Sequence, residues 1–468
     1  MDKKSFQSVE LRILVCALLL PCSGGAAFAD SLPQPARAAF DQKVAARVSA
    51  ERALEHIAYL SETIGPRPGG MEAEREGAEY IASVLESYGY EMEMQPFSVS
   101  AQYIGTLELP SGEQWQLAAA RRALLTGEES VSGELILVDP GTDSGDFPPE
   151  AAGKIVLMEG AETNRLIRTQ AANAEAAGAI GVILFIALRP PHFYGGTWEP
   201  PVWAGIPVLG ACWNQGAWLK GVLARGSVRL SVQTRVYPGL ESVNVIGVKP
   251  AKSGDPDADA VLVAAHLDSV IGAPGANDDA SGVALALELA RVFRDYNTDK
   301  ELRLVLFGSE ERGLLGSRYY VDQLSDAQLD RIAGVFNADM VATSNPVATH
   351  LYAMTHDGLA NLVTDAAAAA GSRLGNSSLL PGRFGRSDHV SFHEVGIPAA
   401  LFIWMRVDSW DPLEFSLERV YHTPQDTLDE NISAERMQSA LEIVGAAVLD
   451  LVRKEVPALE TSQVRADP

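Results

Sequence analysis

Between residues 260 and 338 the chain alternates short, nearly continuous apolar runs with longer amphipathic ones. Ala260 to Ala265, Leu302 to Phe307 and Ile332 to Ala338 read as strands, and Ser281 to Tyr296 and Leu315 to Leu324 as helices. Strands that are apolar at every position are buried on both faces. The pattern therefore predicts an α/β fold with a mostly parallel central sheet covered by helices on both sides. Upstream, residues 35 to 60 and Met71 to Tyr88 carry helical spacing, separated by the loop Gly65-Pro66-Arg67-Pro68-Gly69-Gly70 and followed by a strand from Glu91 to Val99.

Near Thr126 the pattern changes to short strands spaced by Gly and Pro: Glu134 to Val138, Lys154 to Met158, Ala179 to Phe185, Ile206 to Leu209 and Val228 to Val232. One alanine-rich helix, Arg168 to Ala177, lies among them, and no cluster of His, Asp and Glu suggests a site there. Residues 126–238 are expected to form a β-rich inserted module, with residues 30–125 and 239–456 making the main α/β domain and residues 457–468 a disordered tail.

Two domains suit a length of 468 residues, and a composition of 47% hydrophobic and 21% charged residues is that of a soluble globular chain. A net charge of -24 leaves no basic surface for nucleic acid or anionic membrane. Lys3, Lys4 and Arg12 precede an apolar run from Ile13 to Leu20 and the small residues around Ala27-Phe28-Ala29, the layout of an export signal over residues 1–29 cleaved after Ala29. The mature protein is then periplasmic or extracellular, without an integral membrane span. Lipoprotein anchoring through Cys22 is the alternative, disfavoured by Leu20 and Pro21 before it. Only Cys212 of the three cysteines survives cleavage, which excludes an internal disulfide and a thiolate zinc site.

The polar residues that interrupt the apolar pattern fall repeatedly at strand ends, where open α/β sheets place their chemistry. The strand before His266-Leu267-Asp268 has a period of two, so His266 and Asp268 point the same way, and Asp268 is expected to accept from the second ring nitrogen of His266. Gly275-Ala276-Asn277-Asp278-Asp279-Ala280-Ser281-Gly282 is a turn opening a helix, where Asp278 or Asp279 alone would read as an N-cap. Glu310-Glu311 follows an apolar strand, although a solvated helix start would also explain the pair. Asp339 stands between apolar neighbours and needs a cation, a donor or a proton. His422, in Tyr421-His422-Thr423-Pro424, would by itself read as surface. Together these residues offer nitrogen and oxygen ligands of the kind zinc accepts, with a carboxylate to spare. Serine-nucleophile, zincin and phosphate-loop signatures are missing, since Ile155 follows Gly153-Lys154 and no Glu follows His389.

These blocks, with Gly385-Arg386-Ser387-Asp388-His389 and Tyr421-His422-Thr-Pro-Gln-Asp-Thr, resemble in order those of the di-zinc exopeptidase family, which includes secreted bacterial leucyl aminopeptidases, carboxypeptidase Q and glutamate carboxypeptidase II. The resemblance covers residues around 55 to 100 and 240 to 450. It implies two zinc ions per chain: one on His266 and Asp339, the other on Glu311 and His422, with Asp278 bridging. It further implies Glu310 as general base, Tyr421 as an oxyanion donor, Arg386 as a substrate contact and Asp388 in a supporting role. The module around Gly153-Lys154-Ile155-Val156-Leu157 and Ala177-Gly178-Ala179-Ile180-Gly181-Val182-Ile183 resembles a protease-associated domain. The expected activity is metal-assisted hydrolysis of peptide substrates, with aminopeptidase action ahead of carboxypeptidase or dipeptidase action. Glutaminyl cyclase chemistry is disfavoured by the complete pair of metal sites, and a receptor-like binding protein on the same fold is disfavoured because every ligand position is filled.

Overall fold

The computed structural model describes residues 41–186, 198–407, 415–416 and 418–453. The expected export signal with Cys22, the start of the first helical stretch, and the tail from residue 457 lie outside the described residues.

Strand Ala260–His266 is buried at every position and sits between Glu301–Phe307 and Ile332–Ala338, parallel to both. Val261, Val263 and Ala265 join one hydrophobic cluster and Leu262 and Ala264 another, because successive side chains leave a strand on opposite faces. Ala399–Val407 adds in parallel beside Ile332–Ala338, completing a parallel core. Antiparallel strands join it on either side. Leu240–Lys249 and then Glu91–Val99 extend one edge, and His350–Thr355 followed by Leu379–Arg383 the other; with Phe415–Ser416 the sheet has 9 strands. Helix Ala280–Phe293 is buried almost all round, since it packs on the sheet beside Ala434–Val452, which also rests on the sheet, and against Ala50–Ala58. Leu315–Gln323 and His389–His393 cover the opposite face. No helix among the described residues is long and apolar enough to cross a membrane.

The chain leaves the sheet after Val99 and returns at Leu240, and these two residues are paired in the antiparallel ladder. Everything between them can therefore form a separate body without disturbing the sheet. It is a closed barrel with the strand order Arg229–Tyr237, Gln102–Glu108, Gln114–Ala119, Val208–Ala211, Gly181–Phe185, Ile155–Glu159, Val131–Leu137. Helices Asn164–Ala176 and Trp213–Leu223 lie on it. Two of its strands, Gln102–Glu108 and Gln114–Ala119, precede residue 126, where the composition shifts. Their Gln, Thr and Glu residues dilute the apolar signal, yet Leu107 and Leu117 are fully buried in the barrel core.

Candidate metal and hydrolytic centre

Three parallel strands end at one place. His266 closes the first strand, Glu310 and Glu311 follow Phe307, and Asp339 follows Ala338. Asp278 comes from the turn before helix Ala280–Phe293, and His422 from a loop ahead of the last helices. The backbone takes the left-handed region at Ser309 (φ 53), Met340 (φ 59) and His422 (φ 58), beside or at these residues. Such non-glycine conformations cost of order 1–3 kcal/mol each, which the surrounding structure must offset.

The geometry centres on Asp278. Its Oδ1 lies 3.1 Å from His266 Nε2, and its Oδ2 lies 3.0 Å from His422 Nε2. His422 Nε2 is also 3.1 Å from Glu311 Oε2, and His266 Nε2 is 3.9 Å from Asp339 Oδ1. Glu311 Oε1 and Asp339 Oδ1 are buried without a hydrogen-bond partner, and the close approaches of His422 Nε2 to Asp278 Oδ2 and Glu311 Oε2 are not aligned as hydrogen bonds. Stranded polar atoms are costly; converging here, they fit a site for cations. His266, Asp278 and Glu311 bring ligand atoms within 4.8 Å of one another, as do His266, Asp279 and Asp339. Asp279 is already committed: it accepts from the main-chain N–H groups of His266, Gly282 and Met340.

Electrostatics point the same way. Burial pushes the Glu311 carboxyl up to about 7 and that of Asp339 to about 6, with Asp278 adding repulsion to each. Glu310 is raised well above the carboxylate range, by burial first and then by Asp388, Glu311 and Asp339 against the pull of His266. For His422, burial works downward, but Glu311 and Asp278 carry it up to about 10. Carboxyls and an imidazole that are raised together mark a pocket short of positive charge. Burial among Asp278, Glu311, Glu310 and Asp339 also raises Tyr421 well above 10, so its phenol remains a neutral donor.

The structure thus gathers His266, Asp278, Glu311, Asp339 and His422, with Glu310 buried beside them and the Tyr421 ring stacked on His422 at 3.6 Å between centroids. Asp268 differs in detail from its expected part. His266 Nδ1 is nearer to the Asp268 main-chain oxygen, at 3.2 Å, than to Oδ1, at 3.5 Å. The Asp268 carboxylate instead accepts from Glu310 N at 2.9 Å and Glu311 N at 3.3 Å, because the first amides of the turn Glu310–Arg312 have no partner within it. Arg386 is exposed, one residue before the buried Ser387, whose hydroxyl donates to Asp339 Oδ2 at 2.8 Å and accepts from Asn337 Nδ2 at 2.7 Å. Asp388 is fully buried with neither carboxylate oxygen partnered.

Several supporting residues escaped the sequence reading. Arg67 is completely buried and donates to the main-chain oxygens of Leu267, Leu60, Gly65, Pro274 and Gly275, tying together the segments that follow His266 and precede Asp278. Glu74 accepts from Gly70 N, Ser309 N and Ser242 Oγ. Asp426 accepts from Asn277 N and Asp278 N, both at 3.0 Å. An arginine flanked by prolines in a glycine loop, and an acidic residue four positions after His422, were the available signals.

Comparison with known proteins places the chain in a family. A model described as Peptidase family M28 matches residues 244–448, and one described as PA domain matches residues 131–219. Aminopeptidase YwaD of Bacillus subtilis (strain 168) is 38% identical over 411 residues, which span 87% of this chain and 86% of that protein. The chain belongs to peptidase family M28. Solved structures extend the likeness to the whole fold: a zinc aminopeptidase from Bacillus subtilis aligns with a TM-score of 0.66 at 38% identity, covering 87% of this chain and 96% of its own. The aminopeptidase from Aneurinibacillus sp. strain AM-1 gives 0.55 at 34%, covering 89% and 97%. In this M28 peptidase the family match opens at Asn244, within the strand that brings the chain back from the barrel.

Proposed function

We propose that this M28 peptidase is an exported zinc aminopeptidase with two zinc ions. His266 and Asp339 would hold one, Glu311 and His422 the other, with Asp278 shared between them. The observation that carries this reading is the pair of contacts from the two oxygens of Asp278 to the two histidines, amid unpartnered ligand atoms. Bound zinc supplies Lewis-acid charge that polarises the scissile carbonyl and eases loss of a proton from water.

Glu310 then takes the proton of the attacking water and hands it to the leaving amine. The Tyr421 hydroxyl donates to the oxyanion that develops on the attacked carbonyl. Asp268 holds the turn carrying Glu310 and Glu311 through their amides and fixes the ring of His266 through its main-chain oxygen. Arg386 contacts substrate from the rim. The carboxylates of the pocket suit a substrate's terminal ammonium. The buried Arg67 directs its N–H groups to main-chain oxygens and so is not a partner for a terminal carboxylate. The proposal includes the division into an export signal over residues 1–29, a peptidase domain and the inserted barrel as a protease-associated domain.

Peptides blocked at one end, assayed with protein purified without chelator, test the reading. Two zinc ions per chain and cleavage of carboxyl-blocked but not amino-blocked peptides are expected. The reverse preference would overturn the aminopeptidase reading, and absence of both zinc and hydrolysis would favour a receptor-like protein.

A further inference from the structure

The barrel meets the peptidase sheet at the segment that carries Tyr421 and His422. Helix Trp213–Leu223 of the barrel begins there. Trp213 Nε1 donates to the main-chain oxygen of Arg419 at 2.9 Å, and the Arg419 guanidinium lies 5.2 Å from the centre of the indole. One residue further on, Asn214 Nδ2 donates to Gln425 Oε1. These two grips bracket Tyr421 and His422.

Asn214 is itself held in place. Its Oδ1 accepts from Gln215 N at 2.9 Å and from Cys212 Sγ at 2.6 Å, which leaves the amide nitrogen facing the loop. Burial pushes the Cys212 thiol up to about 12, so its proton remains available to donate. Inside the loop, Thr423 Oγ1 donates to Val420 O at 2.7 Å and accepts from Gln425 N at 3.3 Å. On the sheet side Asp426 holds the amides of Asn277 and Asp278. A second approach lies nearby. A methyl group on Gly272 would stand 2.3 Å from Gln116 O, so the barrel strand Gln114–Ala119 comes directly against the loop between His266 and Asp278.

We infer that the first turn of the barrel helix, through Trp213 and Asn214, positions His422 and Tyr421, making the inserted barrel a working part of the hydrolytic centre. The inference rests on the reading of His422 as a zinc ligand. Without the grips, the left-handed backbone of His422 is held from the sheet side alone and can relax. The imidazole then loses its register with Glu311 Oε2 and Asp278 Oδ2.

Full-length Asn214→Leu, Trp213→Phe and Trp213→Ala chains test it. Hydrogen exchange of the amides over residues 419–426, measured on metal-free protein, should be faster in Asn214→Leu than in the parent. Zinc titration of the same variant should show about tenfold weaker binding at one step and unchanged binding at the other. Its kcat should fall about tenfold, with a smaller change in KM. Trp213→Phe, which retains an aromatic ring against Arg419, should lose less than Trp213→Ala. If Trp213→Ala does not fold, Asn214→Leu still decides. Unchanged exchange and zinc affinity in Asn214→Leu, or equal weakening at both steps, would overturn the inference. A parent chain that binds no zinc would instead sink the ligand reading, and the exchange rates alone would then decide whether the barrel holds the loop.

Discussion

Glu310 and Glu311 are neighbours in sequence, yet the proposed site gives them different tasks, and substitution should separate the two. Glu311 Oε2 lies 3.1 Å from His422 Nε2, within the ligand group, whereas Glu310 is outside it. Glu310→Gln should therefore keep its zinc while kcat falls by about 10²–10⁴-fold. Asp278→Ala, which removes the carboxylate touching both histidines, should be isolated nearly free of zinc; metal analysis beside peptide hydrolysis reads both. A third residue governs stability from outside the ligand set. Glu418 accepts from Asn277 Nδ2 at 2.7 Å and Asn431 Nδ2 at 2.9 Å, and burial, with repulsion from Asp426, pushes it up to about 7 from 4.5. The folded state thus binds more protons than the unfolded one between those values. The contribution of Glu418 is fully present below its unfolded pKa and is lost as pH rises through about 7. Glu418→Gln, which retains an accepting oxygen, should give a thermal midpoint that falls less between about pH 5 and pH 8 than the parent's. An unchanged slope would show that Glu418 does not set it.

At the scale of elements, the close seat of helix Ala280–Phe293 against strand Ile332–Ala338 determines where Asp278 and Asp339 stand relative to each other. Gly282 makes that seat possible: a Cβ there would lie 2.2 Å from Ala338 O and 2.5 Å from Asp279 Oδ2. Gly282→Ala should destabilise the fold by about 1–3 kcal/mol through overpacking and weaken zinc binding with it. Denaturant unfolding and zinc titration measure the two, and a neutral result in both would show that the helix can shift without consequence. The strands ending at His266, Phe307 and Ala338 were legible because an unbroken apolar run announces a doubly buried strand, and a polar residue at its end then stands out. Arg67, Glu74 and Asp426 were not legible in the same way. Each has main-chain partners far along the chain, 200 residues away for Arg67 and Leu267, and such bonds leave no periodicity. The barrel strands Gln102–Glu108 and Gln114–Ala119 were missed for a related reason: closure of the barrel, rather than their own pattern, requires them.

Across the whole molecule, the candidate ligands come from five separate segments between residues 266 and 422, all of them on the sheet side of the junction with the barrel. The barrel has hydrophobic clusters of its own, and none of the ligands belongs to them. A cation that binds only the assembled centre stabilises the folded state by mass action, about 2.7 kcal/mol when its free concentration is one hundred times the dissociation constant. It does so while cancelling the repulsion among Asp278, Glu310, Glu311 and Asp339 that burial otherwise enforces. Unfolding of the sheet should therefore respond to chelation, and unfolding of the barrel should not. In calorimetry with and without a chelator, the sheet's transition is expected to drop by about 5–10 °C, taking about 2–4 °C per kcal/mol for a domain of this size, with the barrel's own transition unmoved. If both transitions moved together, the contacts of Trp213 and Asn214 with the His422 loop would couple the two bodies strongly enough to unfold as one. If neither moved, the cluster around Asp278 would hold no cation that matters to the fold.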